Sequence, residues 1–430
     1  MQNRPANHLS RRAFLAQTGA AAMAVPWIVP ASALGAGPRP APSERLTLGI
    51  IGLGDRGMTD LQHFLQQADV QCVLVCDCFK ERREKAKNLV DKYYGNTNCV
   101  ATRYHEEVLE REDIDVALIV TGDRWHTLLS TLAARAGKDV YCEKPFSMTI
   151  GEGRSLVNTM QRYGAIWQCG TQRRSNESFR FMVDAVHKGM IGRIHTIRTS
   201  LGGWHNNGVA IPEPEPDPEV FDYDRWLGPS PWAPYSPVRV QLWRNHWDTG
   251  GGMIPDMGAH YFDITQWGNN TELTGPVEYE GSGEGPTDGF SNVPFKLKVE
   301  AKYANGVKLI VLSSDQREVC FTGDEGWINC TDEGVISAEP ASILKERDIP
   351  QVNEQHTGGH VRNFLDCVKS RRLTVSNPEL AHRAHTIVHC ANLAIRLNRK
   401  LQWDPETERF INDDNANAML TRTMRAPWRL

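Results

Sequence analysis

The sequence predicts two fold classes in one chain: an α/β domain on a doubly wound parallel sheet, then an α+β domain on a mostly antiparallel, open sheet. From Leu46 to Cys169 short apolar strands alternate with helices, a rhythm typical of parallel sheets. After Lys188 strand follows strand, joined by Gly, Asn and Asp turns such as Ala304–Gly306. The length of 430 residues also exceeds what a single hydrophobic core usually serves.

Four segments are predicted along the chain. Residues 1–36 are a removable leader, 45–171 the parallel-sheet domain, 172–400 the antiparallel-sheet domain, and 401–430 an irregular tail without periodicity. The strands predicted in the first domain are Leu46–Ile51, Val70–Cys76, Val116–Val120, Asp139–Cys142 and Ala165–Cys169. Those predicted in the second are Ile194–Leu201, Val277–Glu280, Phe295–Tyr303, Lys308–Ser313, Val319–Thr322 and Gly326–Cys330, with late helices at His360–Lys369 and Pro378–Leu397.

Composition argues against several classes of function. Hydrophobic residues make up 40% and charged residues 23%, as in folded globular proteins. The formal net charge of -4, without a long basic run, argues against a nucleic-acid partner. Beyond the N-terminus no apolar stretch is long enough to cross a bilayer, so no stable membrane span is expected after processing. The 10 cysteines show no zinc spacing, so no metal is predicted and no disulfide is assigned.

The N-terminus has the pattern of an export signal. Ser10–Leu15 contains the paired Arg11 and Arg12, and the mildly apolar Ala16–Val29 and the small residues Ala31–Ala33 follow. A positively charged start, an apolar middle and small residues at the end are typical of a signal peptide, and the arginine pair resembles the twin-arginine signal. An amphipathic anchor helix is the alternative, but two prolines interrupt the run. The protein is therefore expected in the periplasm or another exported location.

A glycine-rich turn follows the first predicted strand. Gly52–Gly57 forms G-x-G-x-x-G between a strand and a helix, where the glycines allow a tight turn, close approach of a pyrophosphate and close helix packing. The helix N-terminus offers free N–H groups to the diphosphate. An ordinary glycine turn is the alternative. The cofactor contacts predicted here are Gly52, Leu53, Gly54, Arg56 and Gly57.

Asp77 indicates which dinucleotide binds. It ends the second predicted strand, where an acid binds the ribose 2′-hydroxyl of a dinucleotide. A carboxylate there repels a 2′-phosphate, so NAD is favoured. Lys80, Arg82 and Arg83 follow closely, and these cations leave NADP open.

Lys144 is the first candidate catalytic residue. Glu143–Pro145 follows the strand Asp139–Cys142, and ligands bind outside the carboxyl ends of strands in such sheets. An ammonium there would stabilise an alkoxide or relay a proton. A surface lysine at a strand end is the alternative.

Asp256 and His260 are the second and third candidates. They are four residues apart behind Pro255, which suits the first turn of a helix, so both are predicted on one helix face and able to meet. A neighbouring carboxylate would orient the imidazole and tune it as a base. The alternatives are a buried core histidine beside a helix-start aspartate, or a metal pair that lacks a third ligand.

These motifs, in this order, resemble the glucose–fructose oxidoreductase and inositol 2-dehydrogenase family (Gfo/Idh/MocA). The resemblance covers Leu46 to about Leu397 and implies a Rossmann domain, an open substrate-binding sheet and a homo-oligomer, a dimer or tetramer. It implies that His260 accepts the hydroxyl proton, that Asp256 is its partner, and that Lys144 stabilises charge. It also implies cofactor contacts from Thr121, Trp125, His126, Glu143, Lys144 and Gln172. Thr121–Asp123 departs from the usual Thr-Pro-Asn or Thr-Pro-Asp, which weakens the prediction of nicotinamide contacts there.

Substrate contacts are predicted where aromatic rings and hydrogen-bond donors occur together. Trp204–His205 and Trp243–Trp247 suit a polyhydroxylated ring, although tryptophans are as often core residues. The substrate contacts predicted are Arg173, His205, Arg244 and His246.

The predicted function is an exported NAD(P)-dependent oxidoreductase that moves a hydride between nicotinamide and a hydroxyl or keto group of a sugar or polyol. Free NAD is expected to be scarce outside the cytoplasm, so the cofactor is expected to be tightly bound. One alternative is an NAD-dependent glycoside hydrolase or lyase that oxidises a sugar carbon transiently, although Lys144 favours net redox. A sugar sensor or scaffolding protein with a vestigial dinucleotide domain is the other, which the intact glycines, Asp77, Lys144 and His260 together disfavour.

Overall fold

The first sheet is parallel and doubly wound, as seen in a computed structural model that describes residues 39–203, 206–345 and 359–430. Its described strands are β1 (Leu46–Ile51), β2 (Val70–Cys76), β3 (Val100–Thr102), β4 (Val116–Ile119), β5 (Asp139–Cys142) and β6 (Trp167–Cys169). Their order is β3-β2-β1-β4-β5-β6, so the winding reverses between β1 and β4. Ligands bind outside the carboxyl ends of strands at such a reversal.

Helices connect these strands. They are α1 (Asp55–Leu65), α2 (Lys80–Tyr94), α3 (His105–Glu110), α4 (Asp123–Arg135) and α5 (Ile150–Tyr163). β3 and α3 were not predicted from the sequence. β3 has three residues and begins with the exposed Val100, so it lacks the buried apolar run that marked the other strands.

The second sheet is mostly antiparallel, which confirms the predicted fold class. Its described strands are β7 (Ile194–Leu201), β8 (Pro276–Glu284), β9 (Lys296–Tyr303), β10 (Lys308–Leu312), β11 (Arg317–Gly323), β12 (Gly326–Thr331), β13 (Ile336–Glu339), β14 (Leu401–Asp404) and β15 (Arg409–Phe410). The order is β13-β12-β11-β7-β10-β9-β8-β14-β15, and only β7 and β10 pair in parallel. Exposed and buried residues alternate along β9, because one face of the sheet covers the core.

The second half of the chain also contains helices, two of which, Ala259–Gly268 and Pro378–Leu397, pack on that sheet. The remaining described helices are α6 (Glu177–His187), α7 (Tyr223–Leu227), α8 (Pro237–Gln241), α9 (Ala259–Gly268), α10 (His360–Ser370), α11 (Pro378–Leu397) and α12 (Asp414–Ala418). Every residue of α9 is buried. A π-helical turn, Ile254–Gly258, leads directly into α9.

Residues 401–418 of the segment predicted as an irregular tail form two strands and a helix, whereas residues 419–430 have neither. β14 pairs with β8, β15 pairs with β14, and α12 follows. Trp403 in β14 is only 1% exposed and packs edge-on against Phe410. The prediction was wrong because strands of four and two residues are too short to show a period.

The predicted domain boundary also places one helix on the wrong side. α10 was assigned to the antiparallel-sheet domain, but Phe364 on α10 packs against Phe64 and Tyr141 in the core of the parallel sheet. His360, the first residue of α10, contacts the carbonyl of Cys169 in β6 at 2.8 Å. A late segment of the chain therefore completes the first core.

Three further findings concern the described residues alone. None of their helices is long and apolar enough to cross a membrane. No group of three or more His, Cys, Asp or Glu in the described ranges is arranged to hold a metal ion. All 10 cysteines lie in those ranges and are free thiols.

Candidate active site

The glycine-rich turn between β1 and α1 has the geometry of a dinucleotide loop. Gly52 has a φ of 97°, and a Cβ there would lie 2.4 Å from the Val120 carbonyl oxygen. A Cβ at Gly57 would lie 2.2 Å from the Gly52 carbonyl oxygen. A Cβ at Gly54 would lie no closer than 3.8 Å to another residue, the Arg82 side chain. The backbone of Gly54 is therefore accessible to a ligand.

Asp77 lies beside this turn, as predicted for a ribose contact. Its Oδ2 accepts a hydrogen bond from the Leu53 amide at 2.6 Å, and its Oδ1 accepts one from the Phe79 amide at 2.8 Å. Burial raises the pKa of Asp77, and these amide bonds oppose the rise. The carboxylate therefore fixes the loop as well as facing the ribose position.

A cleft of about 820 Å³ extends from this loop between the two sheets. Phe221, Trp226, Trp243 and Arg244 form its other wall. The predicted cofactor residues that line it are Gly52, Leu53, Gly54, Arg56, Gly57, Asp77, Thr121, Trp125, His126, Glu143 and Lys144. Gln172 lies behind Glu143 instead and donates to its Oε1 at 2.5 Å.

Two of the predicted cofactor residues have their polar atoms occupied by backbone. The ring nitrogens of His126 contact the carbonyls of Pro145 and Thr121 at 2.7 and 3.1 Å, and burial lowers the pKa of His126 to about 4. The indole of Trp125 donates to the Arg225 carbonyl at 3.0 Å. Both side chains therefore position the loops of the cleft wall and have little capacity left for direct cofactor hydrogen bonds.

Arg56 and Glu143 link the glycine-rich turn to the end of β5. Arg56 Nε donates to Glu143 Oε1 at 3.0 Å, and its Nη2 lies 2.7 Å from Asp60. Burial raises the pKa of Asp60 well above its ordinary value, and Glu143 adds to the rise. Arg56 therefore connects the glycine-rich turn after β1 to the loop after β5, next to the point where the winding of the sheet reverses.

Lys144 and Asp256 meet, although Lys144 lies in the loop after β5 and Asp256 in the π-helical turn before α9. Lys144 Nζ donates to Asp256 Oδ1 at 2.9 Å and to the Asp256 carbonyl at 2.8 Å. Both side chains are largely buried. Lys144 also lines the end of the cleft, so the pair lies where a substrate would meet the nicotinamide.

His260 lies close by, but the described contacts do not pair it with Asp256. The i,i+4 argument assumed an α-helix, whereas Asp256 lies in the π-helical turn, whose wider pitch changes which side chains overlie one another. The Asp256 carboxylate contacts Lys144 and Arg244 instead. His260 Nε2 accepts a hydrogen bond from Arg173 Nη1 at 3.0 Å, and its Nδ1 is buried without a partner among the described residues.

The electrostatics suit a base and an ionised carboxylate. Burial, followed by the charges of Arg173 and Lys144, holds the pKa of His260 well below its ordinary value, so the imidazole is neutral. Burial alone would raise the pKa of Asp256. The charges of Lys144 and Arg244 outweigh it and hold that pKa below the ordinary value.

The predicted substrate residues fall into three groups. Arg173 and Arg244 lie beside the candidate catalytic residues, because Arg173 contacts His260 and Arg244 contacts Asp256. His246 does not, because its ring nitrogens contact Asn292 and the Asp248 amide and its ring stacks on Phe290, outside the lining of the cleft. His205 is outside the described residues, as is the predicted leader at 1–36.

Sequence reasoning missed three residues of the site. Asp332 accepts from Arg173 Nε at 3.0 Å and from the Tyr261 hydroxyl at 2.9 Å. Arg317 acts electrostatically on Asp256 and Tyr261. Asp123 lines the cleft beside Lys144, and its place in the unusual Thr121–Asp123 motif was the one signal available.

Comparison with known families agrees with both parts of the fold. Residues 46–171 match the description "Oxidoreductase family, NAD-binding Rossmann fold", and residues 182–430 match "Oxidoreductase family, C-terminal alpha/beta domain". The chain belongs to the Gfo/Idh/MocA family. This confirms the family resemblance, and both matched descriptions name an oxidoreductase family, the first with an NAD-binding domain.

Curated members of the Gfo/Idh/MocA family share limited identity with the chain. Myo-inositol 2-dehydrogenase of Thermotoga maritima is 25% identical over 224 residues, 52% of this chain and 54% of that protein. A glycosyl hydrolase family 109 protein of Solibacter usitatus is 31% identical over 126 residues, 28% of each chain. The chain spans about half, or less, of the length of the curated relatives it matches.

Solved structures of the Gfo/Idh/MocA fold superpose on most of the chain. WlbA dehydrogenase of Chromobacterium violaceum, in complex with NADH and UDP-GlcNAcA, has a TM-score of 0.65 at 14% identity, over 85% of this chain and 98% of that one. Aldose-aldose oxidoreductase of Caulobacter crescentus has a TM-score of 0.60 at 16% identity, over 83% and 99%. At these identities the likeness establishes the fold alone.

Proposed function

We propose that the protein is an exported NAD-dependent oxidoreductase that transfers a hydride between nicotinamide and a hydroxyl or keto group of a sugar or polyol. The observation that carries the proposal is the 2.9 Å contact between Lys144 and Asp256, which joins the loop after β5 to the π-helical turn before α9 at the end of the dinucleotide cleft. Curated relatives named inositol 2-dehydrogenase support a polyol or sugar as the substrate.

The residues around the cleft fit a nicotinamide dinucleotide. Gly54 has open space in front of its backbone, and the N-terminus of α1 faces the position of the diphosphate. Asp77 would hold the ribose, and Arg82, which stacks on Phe79, flanks that position. When bound, the nicotinamide supplies the hydride acceptor or donor.

His260 is the proposed proton acceptor. Its low pKa keeps the imidazole neutral, and the lone pair of Nε2 accepts a hydrogen bond from Arg173. A substrate hydroxyl that takes the place of Arg173 at Nε2 would give up its proton there as the hydride leaves. His260 and Arg173 therefore form a contact that substrate binding must open.

Lys144 is the proposed stabiliser of the forming alkoxide. An ammonium has three donors, and Asp256 engages two of them through Oδ1 and its carbonyl. The third is left for a substrate oxygen. Asp256 thus acts by orienting Lys144 rather than by pairing with His260.

Export and tight cofactor binding belong to the same proposal. The arginine pair at Arg11 and Arg12 supports a route that carries folded proteins, which lets the enzyme leave the cytoplasm with its cofactor. Native mass spectrometry of the purified protein tests retention. A mass increment equal to NAD or NADH supports it, and the bare chain mass alone contradicts it.

The experiment that tests the function is a sugar and polyol panel with NAD. NADH absorbance reports net oxidation, and a matched set of nitrophenyl glycosides reports release of the aglycone. Net NADH formation supports the proposal. Aglycone release without net NADH would replace it by the hydrolytic activity that the glycosyl hydrolase family 109 relatives suggest.

A further inference from the structure

Positive charge exceeds negative charge around the proposed catalytic residues. Lys144 and Arg244 both contact the single carboxylate of Asp256, at 2.9 and 3.4 Å. Arg173 is paired with Asp332, which also accepts a hydrogen bond from a tyrosine. The carboxylates of this group are therefore already engaged.

Arg317 is a further cation next to this group, since its carbonyl accepts a hydrogen bond from the Asp332 amide at 2.9 Å. It is the first residue of β11 and lies opposite Leu201, the last residue of β7. Gly202 follows with a φ of 85°, and a Cβ there would lie 2.8 Å from Arg317 Nε, so the glycine leaves a path for the arginine side chain. Within residues 39–203, 206–345 and 359–430, the Arg317 guanidinium forms no hydrogen bond or ion pair.

The local charges do not cancel. The cations are Lys144, Arg173, Arg244 and Arg317, and the carboxylates paired with them are Asp256 and Asp332, while the nearby Glu143 is balanced by its own ion pair with Arg56. Asp123 adds no charge at neutral pH, because burial raises its pKa to about 8. A neutral sugar would displace water from these cations without replacing their lost solvation, whereas an anion would replace it.

We propose that the substrate is a sugar acid, a uronate or an aldonate, whose carboxylate binds between Arg317 and Arg244. The inference rests on the proposed oxidoreductase function and specifies its substrate class. A planar guanidinium forms two parallel hydrogen bonds with a carboxylate. Arg244 is held for this purpose by stacking on Trp243, with 4.2 Å between its guanidinium carbon and the ring centroid.

A bound carboxylate would also help the base. Arg173 and Lys144 disfavour a charged His260, so proton transfer to the imidazole is opposed in the substrate-free site. A negative charge close by favours the imidazolium form. A sugar acid is therefore expected to improve turnover as well as binding.

The test compares matched pairs of substrates with the full enzyme and NAD: glucose with glucuronate, and galactose with galacturonate. We expect kcat/KM for the acid to exceed that for its neutral partner by about 10-fold or more. Arg317→Gln should lower kcat/KM for the acid by about 10- to 100-fold, and Arg317→Lys should recover part of the loss. Arg193→Gln is the matched control, since Arg193 is exposed and lies about 26 Å away at the other end of β7.

Two results would overturn the inference. One is a neutral sugar turned over as well as its acid, with Arg317→Gln affecting both alike. The other is a preference for glucose 6-phosphate over glucuronate, which would assign the cations to a phosphate. If no sugar reduces NAD, the proposed function fails, and calorimetric titration of glucuronate into the NADH-loaded protein decides the charge inference separately: binding that Arg317→Gln weakens upholds it, and no binding rejects it.

Discussion

Replacing Lys144 by methionine separates catalysis from folding. The change removes the ammonium that lies 2.9 Å from Asp256 Oδ1 and keeps an unbranched side chain of similar length. Asp256 retains Arg244 at 3.4 Å, so the carboxylate stays ionised and now faces the forming alkoxide. Two like charges at about 4 Å with an effective dielectric constant near 20 repel by about 4 kcal/mol.

That repulsion corresponds to a fall in kcat of about 10³-fold, which agrees with the usual loss of a donor to a developing oxyanion. The free energy of unfolding should change less than the activation free energy does. Breaking a buried ion pair typically costs about 3–5 kcal/mol, and the remaining contact with Arg244 should reduce this to about 1–2 kcal/mol. Dinucleotide affinity should stay close to that of the wild type, because the glycine-rich turn is unchanged.

Lys138→Met is the matched control. Lys138 precedes the same strand, β5, at its other end, and its Nζ donates to the carbonyls of Arg111 and Ile114 at 2.7 and 3.0 Å. Its loss leaves two carbonyls without their charged donor, which should lower the free energy of unfolding by about 2–3 kcal/mol with kcat per folded molecule unchanged. The assay pairs the rate of NADH formation with urea unfolding of both variants. A Lys144→Met enzyme within 10-fold of wild-type kcat would refute the role given to Lys144.

Further substitutions test the base His260, the cofactor preference set by Asp77, the export signal at residues 11 and 12, and the buried acid Asp123. His260→Ala should lower turnover by about 10²–10⁴-fold while dinucleotide affinity, measured by fluorescence titration, is kept; a lower melting temperature with normal turnover would make His260 a core residue. Asp77→Ala should narrow the preference for NAD over NADP in the same titration, and tighter NADP binding by the wild type would refute the assignment. Replacing Arg11 and Arg12 by lysine should leave precursor in the cytoplasm on fractionation, and normal export would exclude the twin-arginine route. Burial raises the pKa of Asp123 to about 8 in the folded protein. The free energy of unfolding of the wild type should therefore fall as the pH rises from the ordinary aspartate pKa of the unfolded chain to about 8. The advantage of Asp123→Asn in thermal unfolding should grow between pH 5 and pH 8 and then level off, and a constant difference would contradict this.

The parallel sheet could be predicted closely because its strands are buried apolar runs. β1, β2 and β5 have the predicted bounds, since a strand covered on both faces needs no alternation to be recognised. β3 and β14 are short and lie toward sheet edges, where tertiary pairing rather than local pattern fixes the strand.

The site could be predicted only in part. Lys144, Asp256 and His260 come together as their motifs suggested, because their positions follow from strand ends and a helix start. The contact between Asp256 and His260 was wrong, since a π-helical turn cannot be distinguished from an α-helical one by spacing. Arg317 begins β11 and Asp332 directly follows β12, both far in sequence from Lys144, Asp256 and His260, and only the pairing of β11 with β7 and β12 brings them to the site.

The packing of the C-terminal segment bears on the order in which the chain folds during synthesis. Trp428 packs on Trp125 and His105, and Phe364 of α10 fills the core beside Phe64. While the ribosome is still translating these residues, the nucleotide-binding half has emerged with apolar surface that no other part of the chain yet covers. The nascent protein therefore depends on shielding, by a chaperone or by rapid completion, until its last helices and strands are released.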